Sequence, residues 1–332
     1  MDIHQKKTSQ VNLVFHLNEK NETNDKDILN SKTPLRKHLS QKIISSTSLN
    51  KYNFSNDSTL PKSNLKKPIY IPQSHAFKSP IVSYSYFLSQ NSNYQHHMED
   101  MILISSPFDS KDNKHHLFGV FDGHGGTLSA QISRNKFPKI FSRCLKENQI
   151  NIEECLSKAF FFVDHETFIK QCHYVGNTAT IIYVANKMIY CANVGDSKCF
   201  LVFSDKVIQM TTMDRPSNGN ERRRVESVGG EFRDDRLNGE LCLTRAIGDH
   251  ELKDKGLIGI PHINKCLITP EVKFCVIGSD GVWDYLSNIE LLGVIRKCKG
   301  DEKRIGKSLV DKAKENGSKD NLSCIVIKFD SE

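Results

Sequence analysis

The sequence predicts an α+β fold in which antiparallel strands are covered by pairs of helices. Three observations carry this. Short apolar runs rich in Val, Ile and Phe, bounded by Gly, Asp and Asn, recur between residues 101 and 327, and such runs read as buried strands. Two connections between consecutive runs, Ala185-Asn186-Lys187 and Gly195-Asp196-Ser197, are tight enough to make neighbouring strands antiparallel. Paired stretches with helical spacing of apolar residues separate the groups of strands, which argues against a doubly wound parallel sheet.

The elements follow in order. Residues 1–80 are rich in Asn, Ser, Lys and Thr, carry Pro34, Pro61, Pro68, Pro72 and Pro80, and show no sustained periodicity; they read as a basic, mostly disordered tail. The ordered domain spans 81–330 and begins with an alternating strand over 81–88. Residues 127–145 and 152–171 predict helices. Residues 178–184, 188–194 and 198–203 predict three strands, the last two joined by a hairpin turn at Gly195-Asp196-Ser197. A charged helix is expected over 220–228, a short strand over 240–243, and helices over 287–298 and 302–316. A strand from Leu322 closes the domain. Trp283, the only tryptophan, is expected to anchor the core beside its turn.

Charge and composition exclude several classes. Residues 1–90 hold 13 Lys/Arg against 6 Asp/Glu, whereas residues 91–332 hold 33 of each. The basic excess belongs to the tail, and the domain offers no net positive field for nucleic acid. No stretch approaches the roughly 20 apolar residues of a membrane helix. The start lacks the apolar core of a signal peptide, and Asp2 stands where myristoylation needs glycine, so a cytoplasmic or nuclear location is expected. The ten cysteines form no Cys-x-x-Cys pair and read as buried free thiols.

The acids carry the chemistry. Asp122, Asp196 and Asp280 each end an apolar run, while Glu99, Asp100 and Asp320 each precede one. In antiparallel strands the exit of one lies beside the entry of the next, so these acids should meet on one sheet edge. Crowded carboxylates need cations, and oxygen ligands favour hard ions such as Mg2+ or Mn2+. In Gly278-Ser279-Asp280-Gly281-Val282-Trp283-Asp284, a helical turn would place Asp284 on the same side as Asp280. In Phe121-Asp122-Gly123-His124-Gly125-Gly126, Gly123 would let its carbonyl approach a cation and His124 would stand beside it. Each string alone also reads as a plain turn.

Together, these strings resemble the type 2C (PPM-type) metal-dependent protein serine/threonine phosphatases. The likeness covers roughly residues 92–329, through Met98-Glu99-Asp100, Phe121 to Gly126, Gly176-Asn177-Thr178-Ala179, Ala192 to Lys198, Leu243-Thr244-Arg245-Ala246-Ile247-Gly248-Asp249, Ser279 to Asp284 and Ser318-Lys319-Asp320-Asn321. The resemblance implies a four-layer αββα sandwich with two metals, and a weaker third, at one end. It implies that Asp122 bridges the pair, that Asp280 and Asp320 complete one site, and that Glu99 and the Gly123 carbonyl serve the other. Asp100 would hold metal-bound water, Asp196, Asp280 and Asp284 would hold the third ion, and His124 would be the general acid. The implied reaction is hydrolysis of phosphoserine and phosphothreonine in proteins by water activated between two metals. The partners expected are phosphoprotein substrates, without nucleic acid, and the chain is expected to be a monomer. Two departures bear on substrate. Gln95 stands where the family often has a phosphate-clamping Arg, and the Asp-His-x-Pro segment appears as Met213-Asp214-Arg215-Pro216. The rival reading is a catalytically silent scaffold that binds protein partners.

Overall fold

The computed structural model describes residues 81–109, 114–147 and 151–330; the tail predicted over 1–80 lies outside them. Along the chain the main strands are β1 (Ile81–Ser89), β2 (Met101–Ser105), β3 (His115–Phe121), β4 (Ala179–Ala185), β5 (Met188–Val194), β6 (Lys198–Val202), β7 (Val207–Gln209), β8 (His262–Leu267), β9 (Phe274–Gly278) and β10 (Leu322–Asp330). The helices are α1 (Leu128–Glu147), α2 (Ile152–Ile169), α3 (Gly219–Ser227), the single turn α4 (Asp280–Trp283), α5 (Asn288–Lys297) and α6 (Glu302–Glu315). Sheet 1 runs β1-β10-β9-β6-β7 and sheet 2 runs β8-β5-β4-β3-β2, with every neighbouring pair antiparallel.

Alternation along the strands builds the layers. Leu117 and Phe121 of β3, with Ile181 and Tyr183 of β4, face Phe137, Phe141, Leu156 and Phe160 of α1 and α2. The intervening Phe118, Val120, Ile182 and Val184 face Cys275, Ile277, Ile325 and Ile327 of sheet 1. On the far side, Phe200, Val276 and Val326 face Leu291 of α5 and Leu309 of α6. The order is therefore helix pair, sheet, sheet, helix pair. Full burial of each such side chain contributes about 1.5–3 kcal/mol, which holds the two sheets as a stiff platform for their ends. Trp283 lies in the outer core, edge-on to Phe200 at 5.0 Å, and its Nε1 donates to the Lys198 carbonyl at 3.1 Å.

Two expectations are corrected. Gly195-Asp196-Ser197 is not a hairpin turn: β5 belongs to sheet 2 and β6 to sheet 1, so the segment carries the chain between layers. Gly195 takes φ +94° there, and a Cβ would come within 2.6 Å of Thr178 Cγ2. The strand over 240–243 does not form. Only an isolated bridge joins Leu237 and Leu241, because this segment folds over a small core of its own with Val225, Leu243, Leu252 and Leu257. Strands β7 and β8, which lie at sheet edges with several exposed side chains, lack the apolar run that marks the others. All ten cysteines are free, and eight are buried. Among the described residues, no helix is long and apolar enough to cross a membrane.

Candidate active site

Register brings the acids together. Met101 at the entry of β2 pairs with Phe121 at the exit of β3, so Asp100 and Asp122 leave sheet 2 side by side. Gly278 at the exit of β9 lies opposite Cys324 on one side and Lys198 on the other, which aligns Asp280, Asp320 and Asp196 along sheet 1. One carboxylate oxygen from each of Asp122, Asp196 and Asp280 falls within 4.8 Å of the other two. Asp284 caps α4, its N–H donating to the Asp280 carbonyl at 2.9 Å, and stays on the same side as that residue.

The crowding shows in the acidities. Burial lifts Asp122 well above the ordinary carboxylate range, and the charges of Asp100, Asp280, Asp196 and Asp320 lift it further. Burial and the charges of Asp196, Asp284 and Asp320 raise Asp280 to about 7. Asp100 is raised to about 6 by burial, against hydrogen bonds from Ser323 and Ser279 that lower it. The Ser323 hydroxyl donates to Asp100 Oδ2 at 2.6 Å, tying an acid of sheet 2 to a strand of sheet 1. Carboxylates that oppose one another's ionisation this strongly fit a cation site made of oxygen donors.

Close backbone approach completes the rim. A Cβ on Gly123 would sit 2.6 Å from the Glu99 carbonyl oxygen, so glycine is what lets this turn lie against Glu99. The Glu99 N–H donates to Asn321 Oδ1 at 2.7 Å, and Asn321 Nδ2 donates to the carbonyls of Gln90 and His97 at 3.0 Å. Asn321 thus fixes the segment before β2 beside Asp320. Gln95 lies on the same rim, its Nε2 donating to the Lys319 carbonyl at 3.1 Å and to Asp320 Oδ1 at 3.2 Å. His96 and His97 are exposed.

His124 has a partner that the sequence did not assign. Its Nε2 lies 2.6 Å from Asp249 Oδ2. Burial pulls its pKa down, but the hydrogen bond and charge of Asp249 outweigh this, and the net shift is upward. Gly176 makes room for the pair: a Cβ there would overlap the Asp249 carboxylate and come within 2.6 Å of His124 Nε2. Asp249 itself takes a left-handed backbone, φ +48°, directly after Gly248, and that Gly-Asp step was the available signal. The second unassigned residue is Arg215, whose guanidinium lies among Asp196, Asp280 and Asp284.

A second acidic group, Asp214, Glu221 and His262, also brings its ligand atoms within 4.8 Å of one another. It is already neutralised. Arg245 and Arg224 bind Glu221 at 2.7 and 2.8 Å, and His262 Nε2 lies 2.8 Å from Asp214 Oδ1. Burial raises Glu221, but hydrogen bonds from Arg245 and Arg224 bring it down to about 2. This network fastens the 214–262 region rather than presenting free ligands.

A family model described as Protein phosphatase 2C matches residues 84–322. The chain belongs to the protein phosphatase 2C family. Among curated relatives, "Probable protein phosphatase 2C 7" of Oryza sativa subsp. japonica is 34% identical over 74% of this chain and 65% of its own length. The human "Integrin-linked kinase-associated serine/threonine phosphatase 2C" is 30% identical over 64% of this chain and 62% of its own. The chain thus spans slightly less than two thirds of these relatives. Among solved structures, a C. elegans sex determining protein superposes with TM-score 0.67 at 27% identity, covering 77% of this chain and 66% of that one. The serine-threonine phosphatase 2C from Toxoplasma gondii gives TM-score 0.67 at 18% identity, covering 78% of this chain and 99% of that one, a likeness of fold. The sandwich described above is thus that of a protein phosphatase 2C chain.

Proposed function

We propose that residues 81–330 form a catalytic domain that hydrolyses phosphoserine and phosphothreonine in proteins with Mg2+ or Mn2+. The observation that supports this best is the meeting of Asp122, Asp196 and Asp280 within 4.8 Å, at the ends of strands and turns from both sheets. In this reading Asp122, Asp280, Asp320, Glu99 and the Gly123 carbonyl would hold the ions, and Asp100 would stand beside them as a further acceptor. When bound, the ions supply Lewis-acid polarisation of the phosphoryl group and a water of near-neutral pKa. His124 donates a proton to the departing serine or threonine oxygen. The Asp249 carboxylate favours the charged imidazole and aims the ring. The expected substrates are phosphoproteins, and the family supports that class.

The direct test is hydrolysis of p-nitrophenyl phosphate and of a phosphothreonine peptide with Mn2+, with and without a chelator, beside Asp280→Asn. Turnover that needs Mn2+, vanishes on chelation and falls by about 10²-fold or more in the variant is expected. A folded protein without turnover in any divalent ion would leave the silent scaffold standing. Against that scaffold, Glu99, Asp122, Asp280 and Asp320 are all present, and carboxylates crowded this closely oppose one another's ionisation, which a bound cation would relieve.

Gln95 bears on affinity. Its amide donates to Asp320 and Lys319 and lacks the two-pronged charged fork with which Arg grips phosphate. Gln95→Arg is expected to lower KM for a phosphopeptide by about tenfold, as one charge-assisted contact allows, with kcat little changed. Steady-state kinetics on one peptide check this, and an unchanged KM counts against a phosphate role for position 95.

A further inference from the structure

Asp196, Asp280 and Asp284 point at one side chain. Arg215 Nε donates to Asp196 Oδ2 at 2.7 Å, and its second terminal nitrogen donates to Asp280 Oδ2 at 3.1 Å and Asp284 Oδ2 at 2.7 Å. The other oxygen of Asp284 is held by Lys198 Nζ at 3.3 Å. These are the three carboxylates that a third divalent ion would need. We propose that Arg215 is a built-in cation seated among them, so that the chain holds two ions firmly and takes a third only by displacing the guanidinium. The inference rests on the metal-dependent reading above.

Three features make the arrangement a fixed one. The backbone on either side of Arg215 is held. Asp214 is fully buried, its Oδ2 accepting from the Gly195 N–H at 2.8 Å and its carbonyl accepting from the Thr244 N–H at 2.8 Å, while Pro216 on the other side is buried as well. A guanidinium stays charged at every working pH, so it neutralises the acids without titrating. Its contacts occupy the oxygens that a small ion would take at roughly 2.0–2.1 Å, so the two occupants exclude each other. A divalent ion entering here must break three charge-assisted hydrogen bonds.

Full-length protein titrated with Mn2+ tests this, with binding followed by calorimetry and free Mn2+ counted by electron paramagnetic resonance. Wild type should bind two ions firmly. R215Q, neutral and of similar reach, should bind a third at least about tenfold more tightly than wild type, since each lost charge-assisted contact is worth a factor of that order. R215K, with a single point charge, should fall between them. Without Mn2+, R215Q should melt below wild type, because its acids lose their cation, and Mn2+ should raise its midpoint by more. If R215Q fails to fold without metal, refolding with Mn2+ to a three-ion protein supports the proposal as well. The same ion count, affinities and Mn2+-induced shift in R215Q and wild type would overturn it. Wild type binding no Mn2+ at all would instead bring down the metal-dependent reading itself.

Discussion

Asp122→Asn is expected to lower kcat/KM for a phosphopeptide by about 10³-fold or more, because in the proposed reading it removes a carboxylate that would hold the ions at the reacting centre. Folding should survive. The Asp122 N–H lies 3.3 Å from the Thr178 hydroxyl, and its carbonyl accepts the Thr178 N–H at 2.8 Å; an Asn keeps both contacts and the same shape. Metal-free stability should rise. The carboxyl is harder to ionise folded than unfolded, so the folded state binds more protons and loses stability as pH climbs from the unfolded carboxylate range toward the raised folded value. At neutral pH the native protein carries that penalty and the Asn variant does not. The metal-free melting midpoint should therefore rise by roughly a few degrees, while the increase on adding Mn2+ should shrink. Thermal melts with and without Mn2+, beside kinetics, check both halves. A variant with native turnover would remove Asp122 from the mechanism.

Asp249→Asn carries the second large expectation, a fall in kcat of about 10–100-fold, the usual effect of losing the partner of a functional imidazole. The sign of its pH effect follows from the pair. A general acid works while protonated, so activity is lost as pH rises through the His124 pKa. Asp249 raises that pKa by its hydrogen bond and charge, so the variant should lose activity at lower pH than wild type does. His124→Ala should cost about 10²–10⁴-fold on a phosphoserine peptide, the range for a general acid. The loss should be far smaller on p-nitrophenyl phosphate, whose leaving group needs no proton. A pH profile of kcat for both substrates separates these outcomes. An alkaline limb that stays in place in Asp249→Asn would reduce the pair to a structural contact.

The ends of the strands were the legible part of the site. Val, Ile and Phe runs announced β3, β5, β9 and β10 and predicted only that their acids share one edge; which strands pair, and so which acids stand side by side, is set by the register of the folded sheets. Asp196 was legible as a site residue but not in its path. A three-residue Gly-Asp-Ser link has the length of a hairpin, and only the facing layers decide that its two strands pair with different neighbours. Asp249 and Arg215 lay further out of reach. Each acts across a large gap in sequence, on His124 and on Asp284 respectively, and no local spacing encodes such partners. The sequence marks Gly123 for its carbonyl and Gly176 only within a matched string, yet what their missing side chains permit is contact with Glu99 and with the His124–Asp249 pair. The edge strands β7 and β8 were missed because their exposed side chains carry no apolar pattern.

Asp100 and Asp122 leave one sheet, Asp280 and Asp320 leave the other, and Ser323 already reaches across to Asp100. The acidic rim is therefore a seam, assembled only when both halves of the sandwich are seated. In the metal-dependent reading proposed above, occupancy by divalent ions would gauge interior fit. Shaving a methyl group from Ile325 or Ile182, buried between the layers and not among the acids of the rim, is expected to loosen the seam and weaken ion capture before it unfolds the chain.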